Sequence, residues 1–223
     1  MAGAGSASKA LRVHGRAQPG IIPLFPLSGC ILLPKGQLPL NIFEPRYLRM
    51  IDDALAGERT IGMIQPREAG NGPPPLFAVG CAGRITSFAE TGDGRYLVTL
   101  TGTLRFRLGA ELSAGTPYRK SEVDYSGFTS DADSDATEME IDRGRLFDAM
   151  RLYLDTENLS TDWEAAAEAP TEALVNSLAM GCPFAPNEKQ ALLEAPTLAD
   201  RADCLIALMR MGGGEGGDGQ TVQ

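Results

Sequence analysis

The spacing of apolar residues changes between residues 125 and 138, and this change limits the possible folds more than any other feature. Before it, short apolar runs are separated by Pro and Gly, or apolar and polar residues alternate, as at Leu104, Phe106 and Leu108. Both patterns are typical of β-strands. After it, apolar residues recur at helical spacing. A run of strands followed by a run of helices predicts an α+β fold.

The chain is expected to form five segments that differ in composition. We predict a mobile tail over residues 1–20, a β domain over residues 21–125, an acidic linker over residues 126–137, a helical bundle over residues 138–211 and a disordered Gly-rich tail over residues 212–223. The linker prediction depends on a run rich in Asp and Ser, a composition typical of solvated chain. With 43% hydrophobic residues overall, the two middle segments have enough apolar side chains to form cores.

The β domain is predicted to contain short strands and one helix. Strands are expected over residues 21–27, 30–33, 38–43, 60–65, 76–90, 95–102, 104–108 and 118–125. Gly92-Asp93-Gly94 separates two of these strands and predicts a tight hairpin. The helix is expected over residues 45–56, because Pro45 suits the first helical position and Gly57 suits the exit. Residues 66–75 are rich in Gly and Pro and predict a loop.

Five helices are predicted in the bundle. The first carries an apolar stripe at helical spacing, formed by Leu146, Met150, Tyr153 and Leu154. The second begins in a sequence of capping-box form, with Thr161 as the cap and Glu164 three residues later. The others are expected over residues 171–181, 187–194 and 197–212. The short connections between them predict a compact bundle.

The two halves of the chain carry opposite charge. Residues 1–120 hold 14 Lys and Arg against 8 Asp and Glu, a net charge of +6, whereas residues 121–223 hold 6 against 21, a net charge of −15. The acidic half would repel phosphates, so the sequence disfavours nucleic acid as a partner of the whole molecule. A basic face on the first half keeps RNA binding open as an alternative.

The cysteines favour a reducing compartment. They are Cys30, Cys81, Cys182 and Cys204. None forms a C-x-x-C pair, and the single histidine lies in the predicted tail, so a Cys/His metal site is disfavoured. Residues 27–30 match a lipoprotein cleavage pattern, but the apolar stretch before them is short and contains two prolines, unlike an export signal. We predict a cytoplasmic protein without membrane association, since no apolar run approaches the about 18 residues of a membrane helix.

The sequence contains no recognisable catalytic motif. The dipeptide Gly-Lys never occurs, which excludes a P-loop, G-x-S-x-G is absent, and one histidine in a tail disfavours a nucleophilic triad. A Ser–Lys pair would have to use a lysine outside any nucleophile motif, the four being Lys9, Lys35, Lys120 and Lys189. The acidic run beginning at Asp131 lacks the Gly and Glu that a calcium loop requires at its sixth and twelfth positions. We therefore predict no enzyme, no cofactor and no metal.

The strongest cluster of chemically distinctive residues lies at the predicted strand-to-helix junction, Phe43-Glu44-Pro45-Arg46-Tyr47. Glu44 would sit at the helix start, where its charge favours the helix dipole, and Arg46 could pair with it. One interpretation is a junction fixed by a cap and an ion pair. The other is a groove for a peptide, with Phe43, Arg46 and Tyr47 as substrate-binding residues. The neighbouring Asp52 and Asp53 point to different helix faces and predict no acid/base pair.

Four segments in order resemble the Lon N-terminal (substrate-binding) domain family. They are IPLFPL at residues 22–27 with LPKGQLPLNIFEPRY at residues 33–47, VGCAGRI at residues 79–85, DGRYLVTLTGTLRF at residues 93–106, and the helical region that includes KQALLE at residues 189–194 and Arg201. The resemblance covers about residues 20–211. It implies a PUA-like β pseudo-barrel with one inserted helix, followed by a C-terminal helical bundle.

The resemblance also implies a function. In Lon proteases this domain captures substrates, whereas ATP hydrolysis and peptide cleavage belong to later domains. We expect a stand-alone, non-catalytic Lon-type module that recognises polypeptide segments or a protein partner. The alternative is a PUA-like protein that binds RNA through the basic first half. Salt would weaken RNA binding steeply, which separates the two interpretations.

Overall fold

A computed structural model describes residues 12–13, 16–67, 74–113, 115–133 and 140–214. The chain divides into two compact units, Met1–Ser134 and Asp135–Gln223. Most of both predicted tails, including residues 1–11 and 215–223, lies outside the described residues. Within the described ranges, no helix combines the length and the apolar character needed to cross a lipid bilayer.

The first unit consists mainly of β-strands with one α-helix after the fourth strand. The elements are β1 (Arg12–Val13), β2 (Arg16–Ala17), β3 (Ile21–Pro26), β4 (Gln37–Ile42), α1 (Pro45–Ala56), β5 (Thr60–Ile64), β6 (Val79–Glu90), β7 (Tyr96–Leu112) and β8 (Lys120–Asp124). Strands β1 and β2 pair only with each other among the described strands. Helix α1 begins at Pro45, as predicted, and lies between β4 and β5 in the chain.

Five of the strands close into a ring, which is the predicted pseudo-barrel. Their order is β7-β6-β5-β3-β8, and β8 pairs back with the second half of β7. The pair β3–β5 is parallel and the other neighbours are antiparallel. Strand β4 stays outside the ring, paired with the first half of β7 from Gln37–Thr101 to Ile42–Tyr96. Among the described strands, its other edge has no neighbour.

Two strand predictions differ from the structure. Residues 30–33 are not a strand, although Ile31, Leu32 and Leu33 are fully buried. The backbone N–H of Lys35 donates to the Gly102 carbonyl at 2.9 Å, so this apolar loop lies directly against β7. An apolar run of four residues does not by itself distinguish a strand from buried loop. The two strands predicted over residues 95–102 and 104–108 are one continuous strand, β7.

The first half of the predicted linker packs on the β domain instead of being solvated. Residues Ser126–Ala132 form a 3-10 helix whose Phe128 is buried. The Arg105 and Arg107 guanidinium groups lie 4.8 Å and 5.7 Å from the centre of the Phe128 ring. The Asp131 side chain, 5% exposed, pairs with Arg105 at 2.7 Å. The sequence predicted a solvated linker because no local pattern shows that Asp131 is buried. Its burial is explained only by its ion pair with Arg105.

The second unit is helical in its described residues, which agrees with the predicted bundle. Its helices are α2 (Arg143–Thr156), α3 (Trp163–Glu168), α4 (Thr171–Gly181), α5 (Pro186–Glu194) and α6 (Leu198–Gly212). The Thr197 capping box on α6 is present. Helix α3 is capped by Asp162 rather than by Thr161, through hydrogen bonds from the N–H groups of Glu164 and Ala165. Together with the first unit, this architecture confirms the α+β class.

A buried arginine joins three helices of the second unit. Arg201 on α6 is 4% exposed. Its Nε donates to the Leu192 carbonyl of α5 at 3.0 Å, and its guanidinium donates to the Asn176 side chain of α4 at 3.1 Å. A charged group without partners would be costly to bury, so these contacts define how the three helices meet.

Candidate functional site

The junction before α1 forms the predicted ion pair. Glu44 occupies the N-cap position, where its side chain makes no capping hydrogen bond. Its carboxylate instead accepts from the Arg46 Nε at 2.9 Å, and the same guanidinium lies 4.5 Å from the centre of the Tyr47 ring. The first turn of α1 is therefore ordered by a local pair of charges above an aromatic ring.

The three candidate substrate-binding residues occupy different environments. Phe43 is 62% exposed, and the Arg46 side chain is 53% exposed. Tyr47 is 6% exposed and packs edge-on against Phe25, with ring centres 4.4 Å apart. Burial raises the pKa of Tyr47. Of the three, Phe43 has the most freely available apolar surface, and Tyr47 fixes the junction to the core.

Phe43 belongs to an exposed sheet face that includes residues of three strands. Leu97 on β7, 48% exposed, is paired with Asn41 of β4 on one side and with Ala89 of β6 on the other. Because side chains alternate along a strand, Pro39 shares the side of Asn41. The Arg95 guanidinium lies 5.8 Å from the Phe43 ring, which places Phe43 beside β7. We call this surface, formed by Pro39, Asn41, Phe43, Ala89 and Leu97, the outer face.

The free edge of β4 borders the outer face. The Gly102 N–H donates to the Gly36 carbonyl at 2.9 Å, so position 36 makes a backbone bond to β7. In an antiparallel pair such positions alternate with positions whose backbone groups point away from the partner. This alternation directs the backbone groups of residues 37, 39 and 41 to the free edge. Pro39 is consistent with this direction. It lacks an N–H, and the hydrogen bonds between β4 and β7 do not require one at this position.

Two tyrosines hold α1 against the β domain. The Tyr118 hydroxyl donates to Asp53 at 2.7 Å, and the Tyr96 hydroxyl donates to Asp52 at 3.1 Å. The adjacent aspartates do point in different directions, but each has a hydroxyl donor that sequence reasoning did not identify. The Tyr118 hydrogen bond lowers the pKa of Asp53. Burial, together with the same bond, raises the pKa of Tyr118 to about 12.

We expect Tyr118→Phe to raise the pKa of Asp53 toward the ordinary 3.8 and to lower the free energy of unfolding by about 1 kcal/mol at neutral pH. A lowered carboxyl pKa adds stability above the ordinary value, and that contribution is lost as the pH falls through the folded-state pKa. The variant should therefore lose less stability on acidification. Carboxyl NMR and urea unfolding from neutral to acidic pH measure both effects. An unchanged Asp53 titration would contradict the prediction.

Two thiols and two lysines among the candidate nucleophiles are shielded by burial or already hydrogen-bonded. Burial raises the pKa of the Cys182 thiol to about 11 and also raises the pKa of Cys204. Lys189, 5% exposed, donates to the Met180 carbonyl at 2.7 Å, and Lys35 donates to the Asp133 carbonyl at 2.9 Å. His14 and Lys9 lie outside the described residues. In the part of the chain that the structure describes, no three His, Cys, Asp or Glu side chains are grouped to hold a metal ion.

Comparison with known families assigns this architecture. The family described as "ATP-dependent protease La (LON) substrate-binding domain" matches residues 21–211. The chain belongs to the Lon substrate-binding domain family. The matched range includes β3 to β8, α1 and nearly all of α2 to α6, so both units belong to the Lon domain.

The chain is similar in sequence to bacterial Lon proteases. It is 27% identical over 200 residues to Lon protease 2 of Myxococcus xanthus, which covers 86% of this chain and 24% of that protein. It is 28% identical over 198 residues to Lon protease 2 of Sorangium cellulosum, again covering 24% of that protein. The Lon domain therefore spans about a quarter of the length of these relatives.

Solved structures agree with the fold. A Lon N-terminal domain protein from Xanthomonas campestris is 26% identical, superposes with a TM-score of 0.58, and matches 84% of this chain and 97% of its own. The N-terminal domain of a Mycobacterium avium complex Lon protease gives a TM-score of 0.61 at 18% identity, with 85% of this chain covered. The second likeness supports the fold alone.

Proposed function

We propose that this Lon domain binds extended polypeptide segments at the outer face and along the free edge of β4. The observation that carries the proposal is the exposure of Phe43 and Leu97, 62% and 48%, beside a strand edge without a described neighbour. Membership of a substrate-binding family supports a polypeptide as the ligand. The proposal thus has two further parts: the domain is non-catalytic, and the polypeptide binds at this surface.

Backbone groups and apolar side chains would contribute in different ways. The N–H groups of Gln37 and Asn41 and the carbonyls of residues 37, 39 and 41 can pair with any extended chain, whatever its sequence. Phe43 and Leu97 would then select segments with apolar side chains at alternate positions. Covering one such side chain contributes about 1.5–3 kcal/mol. Binding would be broad in sequence but restricted to unfolded chains.

The charges of the first unit favour a polypeptide over RNA. Residues 1–134 contain 14 Lys and Arg and 12 Asp and Glu, a net charge of only +2, because the acidic residues up to Asp133 belong to this unit. Among the described residues of this unit, ion pairs hold Arg46, Arg49, Arg95, Arg105 and Arg119. Paired cations offer little to phosphates, whereas the apolar outer face suits a peptide.

We expect Phe43→Ser to weaken binding of a permanently unfolded polypeptide, reduced and carboxymethylated α-lactalbumin, about tenfold, since it removes one large apolar contact. Fluorescence anisotropy of the labelled polypeptide measures the affinity. Ile21→Ser is the matched control, because Ile21 is 52% exposed but lies on β3, away from the outer face. Equal affinities for the two variants would refute the location.

A second variant separates strand addition from apolar contact alone. Asn41→Pro removes an N–H that points to the free edge and that β7 does not use. We expect it to keep the thermal stability of the parent and to weaken polypeptide binding about threefold, the effect of one net backbone hydrogen bond. Unchanged polypeptide binding would be consistent with binding at the outer face but would exclude the free edge of β4.

A short RNA that competes with the polypeptide at low salt and not at moderate salt would favour the RNA alternative.

A further inference from the structure

A second exposed apolar site lies in the helical unit. A groove of about 610 Å³ is bordered by the second half of α2, the following loop and the first turn of α3. Its lining includes Arg151, Leu154, Asp155, Leu159 and Trp163. Leu159 and Trp163 are 42% and 40% exposed, so a large apolar surface remains open to solvent there.

Backbone contacts hold the groove open. Just after the end of α2, Asn158 adopts a φ of 53°. The Leu159 N–H donates to the Leu154 carbonyl at 2.8 Å, and the Asn158 N–H donates to the Asp155 carbonyl at 3.3 Å. These are the two bonds of a Schellman helix end. On the other side, Asp162 caps α3. The backbone positions of Leu159 and Trp163 are therefore set by the helix ends they adjoin.

The chain segment that borders the groove is strongly acidic, and one of its acidic residues, Asp155, lines the groove itself. Residues 147–168 contain six acidic side chains and one basic side chain. The acidic residues are Asp148, Asp155, Glu157, Asp162, Glu164 and Glu168. The basic one, Arg151, is near Asp148 at 3.5 Å and lies 5.4 Å from the centre of the Trp163 ring. This aromatic ring already holds a cation, and further positive charge would be attracted to its surroundings.

We propose that this groove binds a cationic amphipathic polypeptide segment, in which Leu or Phe contacts Trp163 and Leu159 while Lys or Arg faces the acidic rim. Apolar surface and charge sign together define this partner. The chain's own residues 215–223 have the wrong charge for the groove, because they contain Glu215 and Asp218 and no basic residue. The site is separate from the outer face and selects charge, which the outer face does not.

Trp163 is the single tryptophan of the chain, so its emission reports this groove directly. We would titrate the full chain with a Lys/Leu amphipathic peptide and with a Glu/Leu peptide of identical apolar spacing. We expect a saturable change in emission and protection from acrylamide with the first peptide, weaker at higher salt, and neither effect with the second. Equal responses to both peptides would overturn the proposal.

Charge variants test the rim. Asp155→Asn with Glu157→Gln should weaken the Lys/Leu peptide about fivefold at low salt. The same loss of charge in the first unit, Glu90→Gln with Glu122→Gln, should have no effect. Arg151→Met should strengthen binding about threefold, because it removes the competing cation and keeps the apolar stem. An unchanged affinity in both groove variants would contradict the proposed recognition.

Two observations on the full chain without peptide would also overturn the proposal. If acrylamide does not quench the emission of Trp163, the chain covers its own groove. An emission that depends on protein concentration would assign the groove to a second copy. Phe43→Ser should leave the peptide titration unchanged, so that failure of the outer face and failure of this groove are distinguishable.

Discussion

Replacing Asp131 with Asn is expected to lower the free energy of unfolding of the first unit by about 3–5 kcal/mol. The Asp131 carboxylate accepts four hydrogen bonds from one residue, including the Arg105 backbone N–H at 2.9 Å and its terminal guanidinium nitrogen at 2.7 Å. The two side chains are 5% and 3% exposed. An amide in this position removes the negative charge that Asp131 supplies to a buried guanidinium, whose desolvation is costly.

The control lies two residues further along. Asp133 is exposed and contributes its backbone carbonyl, not its side chain, to Lys35, so Asp133→Asn should change stability by less than about 0.5 kcal/mol. Urea unfolding followed by far-UV circular dichroism reports both units, while Trp163 emission reports the second alone, so a transition seen only by circular dichroism belongs to the first unit. Equal stability of the two variants would contradict the prediction. A double replacement of Arg105 and Asp131 by Leu should recover most of the loss, since it removes both charges of this buried pair.

Gly102→Ala is expected to destabilise the first unit by about 3 kcal/mol. A Cβ at position 102 would overlap the carbonyl oxygen of Leu33 and crowd Leu32. Neither leucine can move away easily, because both are fully buried and the nearby Lys35 N–H is hydrogen-bonded to the Gly102 carbonyl. The added methyl group therefore has to displace a buried loop from β7.

A matched glycine tests this explanation. Gly92 in the β6–β7 hairpin has nothing within 4 Å of the place that an alanine methyl group would occupy, and it does not adopt a positive φ, so Gly92→Ala should be nearly neutral. Thermal unfolding of the two variants measures the difference. If Gly102→Ala is as stable as Gly92→Ala, the loop at residues 30–33 is not packed against β7 as described.

The sequence was sufficient for the elements whose signals are local. The start of α1 followed from Pro45, and the β6–β7 hairpin followed from Gly92-Asp93-Gly94, because each depends on the conformations available to one or two residues. The Lon resemblance supplied the order of the β domain and the bundle. The strand predicted at residues 30–33 was wrong because burial is decided by distant residues such as Gly102.

The candidate site was predictable only in part. Phe43 was identified from the junction motif, but Tyr47 was grouped with it although its ring packs on Phe25. Leu97 was missed, and a signal for it exists: it is an apolar residue in register with Thr99 and Thr101 on the partly exposed side of β7. The Tyr118–Asp53 and Arg105–Asp131 contacts join residues 65 and 26 positions apart, which no local pattern encodes.

The proline in β4 has a kinetic consequence. Pro39 leaves residues 37 and 41 as the N–H donors of the free edge of β4, so an added strand loses one backbone bond at the middle of this edge. Since differences in affinity arise mainly in the dissociation rate, a chain bound there would leave quickly and be replaced by another. The same shortage of donors discourages two copies from zipping together along β4 into a growing sheet. Under the proposed function, the edge would therefore release bound unfolded chains readily and would not seed their aggregation.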